Sequence, residues 1–287
     1  MGVGAGMAYE ASPPNANKKI LTIGQTCLDC QTSKATEPKT NTQWRFLMFK
    51  FFLVGGSVRD QLLGVKSKDL DFVAVPQNLD ERDPNKVFQM MENHLKNTSF
   101  DVLASYPNAF TVKAKNRTTK YVVDFVLSRK ETYNPNSRTP IVSVGTLEDD
   151  LSRRDFTINA MALDENGTLI DLFKGFEDLR DKVLRTPLNP EVTLLDDPLR
   201  MLRALRFAIT KDMTIHDSVW SVMLQDCILD KMRIVVSKER IQGEVNKMLA
   251  FNTIATLNLF ARCQTINQKF YSVMLAGASL QSTFKQL

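Results

Sequence analysis

The sequence predicts an α/β head built on a small mixed sheet, followed by an all-helical region. Three observations carry this reading. An apolar run, a glycine pair and a helix start follow one another over residues 51–63, and a second, acid-bearing strand occupies 69–75. Two further runs alternate on either side of a basic turn within residues 110–127. From about residue 194 the apolar spacing becomes helical.

Bulk properties set the bounds. The chain has 287 residues, 43% of them hydrophobic and 24% charged, enough for a sizeable core and two domains. No apolar run approaches bilayer length, so no membrane partner is expected. The net charge of +5 tilts mildly toward polyanions. Four cysteines are too few for a disulfide framework. Cys27 and Cys30 form one C-x-x-C with no second pair at zinc spacing, which reads as an incidental pair. A reducing, cytoplasmic compartment fits best.

Residues 1–43 are rich in small and polar residues without periodicity and are expected to be a disordered extension. Before Arg45 this segment has no arginine, and it carries Glu10, Asp29 and Glu37, a poor match to a transit peptide. A mitochondrial location stays open. The head is assigned to residues 44–175 and the helical neck to 176–287.

In the head, Phe51–Val54 reads as a buried strand. Gly55 and Gly56 permit a sharp turn and close approach of a ligand. Ser57 is the expected N-cap of a helix over Val58–Leu63. Such a strand, glycine turn and helix start make a phosphate cradle, and Arg59 lies on its first turn with a forked donor pair. Asp69 and Asp71 on the next strand share a face, with Leu70, Phe72 and Ala74 on the other. Two carboxylates beside a phosphate cradle suit Mg²⁺.

Val87, Met90, Met91 and Leu95 recur at helical spacing, while His94 reads as a surface or helix-end residue. The strands Phe110–Ala114 and Tyr121–Leu127 flank a turn at 115–120. Asp124 stands alone in an apolar run, a costly place for a charge unless it is paired, metal-bound or turned to solvent. Residues 128–150 read as an exposed polar loop, a lid candidate.

Four later segments complete the pattern. In Arg153-Arg154-Asp155-x-Thr157-x-Asn159-Ala160, an arginine and an asparagine five apart can grip a triphosphate or sugar hydroxyls. Leu169–Leu179 holds Lys174-Gly175 at a turn. Leu194–Ala208 carries Asp196, Asp197, Arg200, Arg203 and Arg206; Pro198 opens its helix, and three arginines spaced by three are equally compatible with a structural ion-pair stripe. Glu239-Arg240-Ile241-x-x-Glu244 follows.

With the 51–75 stretch, these segments resemble, in order, the five motifs of the class II tRNA nucleotidyltransferases (CCA-adding enzymes) and their bacterial poly(A) polymerase relatives, within the polymerase β superfamily. The resemblance covers roughly residues 50–250. It implies transfer of C and A from CTP and ATP to the tRNA 3′ end with Mg²⁺. In that scheme Asp69 and Asp71 hold metal, and Asp124 is a third catalytic carboxylate on a neighbouring strand. Gly55, Gly56, Ser57 and Arg59 hold the triphosphate. Arg154 binds nucleotide, with Asp155 and Asn159 shaping the sugar site. Asp197 and Arg200 read the base, and Arg203 and Arg206 face phosphates or brace the readers. Arg129, Glu131 and Tyr133 match the family's flexible loop. The family often has two glycines where this chain has Lys174-Gly175, and only Gly175 is expected to supply the turn. Glu239 and Arg240 are expected to make fixed salt bridges.

The motifs alone leave poly(A) addition, CC-only or A-only addition and a non-catalytic RNA-binding form as alternatives. The short C-terminal region leaves little room for the family's tRNA-gripping parts, and a homodimer or partner subunit would supply them.

Overall fold

The computed structural model describes residues 48–67, 69–77, 80–132 and 140–274. The expected extension over 1–43, the Cys27–Cys30 pair and Tyr133 lie outside the described residues.

The head runs through β1 (Phe49–Val54), α1 (Gly56–Leu62), β2 (Leu70–Pro76), α2 (Pro84–Lys96), β3 (Phe100–Tyr106), β4 (Thr111–Asn116) and β5 (Val122–Leu127). A small hairpin follows, β6 (Arg129–Thr132) with β7 (Ile141–Val144), then α3 (Leu147–Ser152), β8 (Met161–Leu163), β9 (Leu169–Asp171) and α4 (Gly175–Arg180). Seven strands form one sheet in the order β3-β4-β5-β2-β1-β8-β9. Only β2 and β5 pair in parallel, which makes the sheet mixed.

Strand alternation divides the sheet into two unlike faces. One face carries Phe49, Ala74, Val112, Ala114, Val123, Phe125 and Leu127 and packs on Val87, Phe88, Met91 and Leu95 of α2. The expected apolar stripe of that helix is therefore core, and His94 at its last turn lies against the rings of Phe49 and Phe51. The opposite face carries a smaller cluster, Phe52, Val54, Val73, Leu151, Ala160 and Ala162. That face holds the acidic pair.

The stretch read as one exposed loop differs from expectation. The β6–β7 hairpin and α3 occupy most of its described part, and Thr146 and Asp149 form a reciprocal capping box at the start of α3.

The turn before α4 also differs. Lys174, not Gly175, adopts the left-handed conformation, with φ 59°. Gly175 is needed for space, because a Cβ there would lie 2.1 Å from the Thr157 carbonyl oxygen. Lys174→Gly is therefore expected to stabilise the fold by about 1 kcal/mol, relieving a conformation that costs an L-residue about 1–2 kcal/mol. Gly175→Ala is expected to lower stability by more than that, since a backbone oxygen cannot rotate away. Denaturant midpoints of the two variants check both signs.

The helical region comprises β10 (Val183–Leu184), α5 (Pro190–Asp196), α6 (Leu199–Thr210), β11 (Thr214–Ile215), α7 (Asp217–Met223), α8 (Asp226–Val235), α9 (Lys238–Phe251), α10 (Thr253–Ile266) and α11 (Phe270–Met274). Pro198 sits at the N-cap of α6, one residue ahead of its first turn. One face of α6, with Leu199, Met201, Leu202 and Leu205, enters the core of the helical region. Its other buried apolar residues, Ala204 and Phe207, join Leu53, Val58, Phe156 and Ile158 of the head. Helix α6 thus packs against both parts of the chain and brings its arginines to the head.

Candidate active site

The centre of the site is one cross-strand row. Val54 of β1 pairs with Asp71 of β2, Asp71 with Asp124 of β5, and Asp124 with Lys113 of β4. Residues directly opposite one another project to the same face. The row therefore aligns Lys113, Asp124 and Asp71 on the less covered face and ends at Val54, immediately before the glycine turn. Asp69 lies one residue ahead of β2, is exposed, and its carbonyl accepts a hydrogen bond from the Ser67 hydroxyl.

Charge crowds this row. Burial raises the pKa of Asp71, and the nearby Asp124 and Asp69 carboxylates raise it further against Arg154 and Lys113. A cation would relieve that crowding, and the donor set is all oxygen, as Mg²⁺ requires. Asp124 lies directly across from Asp71; Lys113 Nζ hydrogen-bonds its Oδ2 at 3.1 Å and sits 2.8 Å from its Oδ1, which is buried and has no hydrogen-bond partner among the described residues. Among the described residues no group of three or more acid, histidine or cysteine side chains is close enough to hold a metal.

The glycine turn is built differently from the expected cap. Gly55, with φ 74°, is the N-cap of α1, and no side chain caps it. Ser57 is buried, and its hydroxyl donates back to the Val54 carbonyl at 2.7 Å. The positive φ of Gly55 is what favours glycine at this turn, and a Cβ there would lie 2.8 Å from Arg154 Nη1, which would have to shift.

Arg154 is the best-presented cation beside the turn. It donates to Asp150 at 2.9 Å and to the Asn159 carbonyl at 3.4 Å, and its buried Nε has no partner among the described residues. Arg153 and Arg154 do not start a helix; they follow α3, and the acid that orients both is Asp150 within it. The Asp150 side chain is 0% exposed. Burial works to raise its pKa, but Arg153 and Arg154 overcome that and leave it lowered. Arg153 also reaches Glu131 of β6, itself paired with Arg129 at 2.7 Å.

Arg59 faces inward. It bonds Asp60 through Nε at 3.0 Å and Nη2 at 2.7 Å, donates to the Asn159 side chain, and lies over the Phe207 ring. Asn159 in turn donates to Asp155 at 2.9 Å. Asp155 is buried and accepts from Arg203 at 2.9 Å; burial raises its pKa, and Arg203 and Asn159 together bring it below the ordinary value. Arg59, Asn159, Asp155 and Arg203 therefore form one hydrogen-bonded chain that ties α1 to α6.

The α6 arginines divide their work. Arg203 braces Asp155. Arg206 pairs with Glu244 of α9 and lies 4.5 Å from the centre of the Phe207 ring, the structural alternative weighed for this stripe. Arg200 donates to the carbonyls of Thr193 and Arg153. Asp197 ends α5; its carboxylate accepts from the Leu199 amide and lies 3.9 Å from Arg240. Arg240 thus makes the expected kind of ion pair, whereas Glu239 is exposed and its pKa is lowered by its own backbone amide and by Ser237.

Comparison with known proteins agrees with this fold. Residues 51–185 match the family model described as Poly A polymerase head domain. The head is a poly A polymerase head domain. The tRNA nucleotidyltransferase cca2 of Schizosaccharomyces pombe is 37% identical over 249 residues, covering 82% of this chain and 49% of that protein. The mitochondrial CCA tRNA nucleotidyltransferase of Saccharomyces cerevisiae is 36% identical, covering 76% and 42%. A tRNA nucleotidyltransferase complexed with a primer tRNA and an incoming ATP analogue superposes with a TM-score of 0.57 at 30% identity, covering 76% of this chain and 58% of that one. The Bacillus stearothermophilus CCA-adding enzyme in complex with CTP gives 0.59 at 26% identity, covering 75% and 48%. The chain thus spans about half the length of these curated relatives.

Sequence reasoning missed Asp150 and Lys113, and it placed Glu131 in the flexible loop without its ion pairs to Arg129 and Arg153. Asp150 stands three and four residues before Arg153 and Arg154, the spacing at which helical ion pairs form. A hairpin centred between residues 118 and 119 places 113 opposite 124, so Lys113 was also legible. Nothing local marks Glu131 as buried.

Proposed function

We propose that the chain is a template-independent tRNA nucleotidyltransferase that adds C and A to the tRNA 3′ end from CTP and ATP, releasing pyrophosphate. The observation that carries the reading is the juxtaposition of the Asp71 row, the Gly55 turn and Arg154. An acidic strand face, a glycine turn opening a helix and an oriented guanidinium are what nucleotidyl transfer needs side by side. The named relatives support the tRNA substrate.

Asp69 and Asp71 are the residues that would hold Mg²⁺. When bound, the ion lowers the pKa of the attacking 3′-hydroxyl and offsets charge on the leaving pyrophosphate. The amides after Gly55 face the triphosphate, with Gly56 and Ser57 supplying backbone rather than side chain. Arg154, with its free Nε, binds the phosphates. Arg59, Asp155 and Asn159 fix the sugar pocket through the chain that ends at Arg203. Asp197 and Arg200 present the base-reading edge. Arg206 holds α6 on α9. The catalytic head extends over about residues 44–175 and the neck follows. The sparse cysteines support a cytoplasmic location, and the mitochondrial relatives carry the alternative.

A second reading, A-only addition, is favoured by the 41% identity over 161 residues to the A-adding tRNA nucleotidyltransferase of Aquifex aeolicus. Incorporation assays on tRNA lacking its 3′ end, or ending in C, CC or CCA, separate the two. Two C additions, then one A, then arrest is the expected result. Addition of A alone to a CC end supports the second reading, and a long A tail contradicts both.

A further inference from the structure

We propose that the open sheet face of β5, β4 and β3 receives the unpaired 3′ end of the RNA, with Tyr106 stacking on one of its bases and Lys115 meeting its phosphates. The inference rests on the reading of the chain as an RNA nucleotidyltransferase.

The face is defined by register and exposure. On β4 and β5, Thr111, Lys113, Lys115, Val122, Asp124 and Val126 are all at least partly exposed, whereas the residues that alternate with them are buried against α2. Tyr106 of the edge strand β3 pairs with Thr111 and therefore projects to the same open side. Beside it the β3 register shifts by one residue at Leu103, a bulge that turns the edge next to the row of Asp71 and Asp124. Leu103 and Tyr106 are 53% and 48% exposed, large apolar surfaces at the rim of a polar site. Arg129 donates to the Ala109 carbonyl at 2.8 Å and so anchors the turn that follows Tyr106.

The direction of the reaction says what enters here. The Gly55 turn and Arg154 lie on the β1 side of Asp71. A triphosphate held there leaves as pyrophosphate on that side, and in-line displacement brings the attacking hydroxyl from the other. On the other side lie β5, β4 and β3. Three strand spacings put β3 about 14 Å from β2. That is the length of about four stacked nucleotides, and of fewer in an extended strand. Unpaired RNA is held by aromatic rings under its bases and by cations along its backbone. Tyr106 supplies the ring. Lys113 is engaged with Asp124, and Asp101 with Arg117, while Lys115 makes no ion pair among the described residues.

The test is binding of two fluorescent RNA hairpins to the full chain, one with a short unpaired 3′ end and one blunt, read by anisotropy. Tyr106→Ala is expected to weaken binding of the first about tenfold, the scale of one lost base–aromatic stack, and to leave the second unchanged. Tyr106→Phe keeps the ring and is expected to restore the affinity. Lys115→Ala is expected to lower the slope of log affinity against log salt by about 0.7, the loss of one phosphate contact. In incorporation assays Tyr106→Ala is expected to raise the KM for RNA and not that for CTP. Unchanged binding of the unpaired end by folded Tyr106→Ala, or an equal loss on both hairpins, would overturn the inference, and incorporation by the native chain would leave the transferase reading intact. A folded native chain that adds no nucleotide and binds both hairpins alike would overturn that reading and this inference together.

Discussion

Asp71→Asn is expected to reduce nucleotide incorporation by about 1000-fold or more in a protein that folds as well as the native chain. The loss follows from removing one of two proposed cation ligands, a contribution of several kcal/mol to transition-state charge stabilisation, at about 1.4 kcal/mol per factor of ten. The retained fold follows from the electrostatics of the row. Burial and the two neighbouring carboxylates hold the Asp71 pKa above its ordinary value. A carboxyl group with a raised folded-state pKa loses stability as pH rises through that range, so its charge opposes folding at neutral pH. Asparagine removes that charge. The melting temperature of Asp71→Asn is therefore expected to equal or exceed the native value, and a site whose ionised groups oppose folding is characteristic of function. A large drop in melting temperature alongside the lost activity would instead assign Asp71 to the architecture.

Asp150→Asn is the variant expected to fail by unfolding. This acid is fully buried and pairs with Arg153 and Arg154, whose side chains are only 20% and 18% exposed. Asparagine leaves Arg154 without its carboxylate partner and Arg153 with Glu131, and breaking a buried pair on one side costs about 3–5 kcal/mol. The damage spreads along defined contacts. Arg153 also holds Glu131 of the β6–β7 hairpin, and its carbonyl accepts from Arg200. Arg154 stands against the Gly55 turn. One substitution therefore loosens the hairpin, Arg200 and Arg154 together. The lowered Asp150 pKa gives the same contact a pH signature with the opposite sign to Asp71. Its stabilisation is complete above the ordinary carboxylate pKa, near 4, and is lost as pH falls further through the folded-state value. Chemical denaturation of native and Asp150→Asn proteins between about pH 3 and 7 should show their difference shrinking at the acid end.

Much of the head was legible before the structure. Strand parity put Asp69 and Asp71 on one face and Leu70, Phe72 and Ala74 on the other, and the core clusters follow that division. Bulky runs and a basic turn gave β4 and β5. Other elements lacked such signals. β3 has polar residues Asp101 and Ser105 within its run, at the edge of the sheet. β8 and β9 have three residues each, too few for a period to appear. β6 and β7 pair with each other inside a polar segment, where composition resembles a loop.

At the site, residue types and spacing pointed to the correct segments but not to who pairs with whom. Arg59 was read as a free fork, yet its partners Asp60, Asn159 and Phe207 come partly from distant parts of the chain. The α6 arginines repeat every three residues, but each meets a different element: backbone carbonyls for Arg200, Asp155 for Arg203 and Glu244 for Arg206. Only the tertiary fold assigns such partners. The same holds for Lys174, whose left-handed backbone is imposed by the close packing of Gly175 on Thr157 rather than by its own preference.

The most direct test of the account supplies α-labelled CTP, Mg²⁺ and tRNA lacking its terminal CCA to the purified chain and follows label and pyrophosphate together. The account predicts that label enters the RNA and pyrophosphate appears in equal amount, and that Asp71→Asn does neither while still folded. A folded native chain that binds CTP yet releases no pyrophosphate, or an Asp71→Asn protein that incorporates label at the native rate, would contradict it.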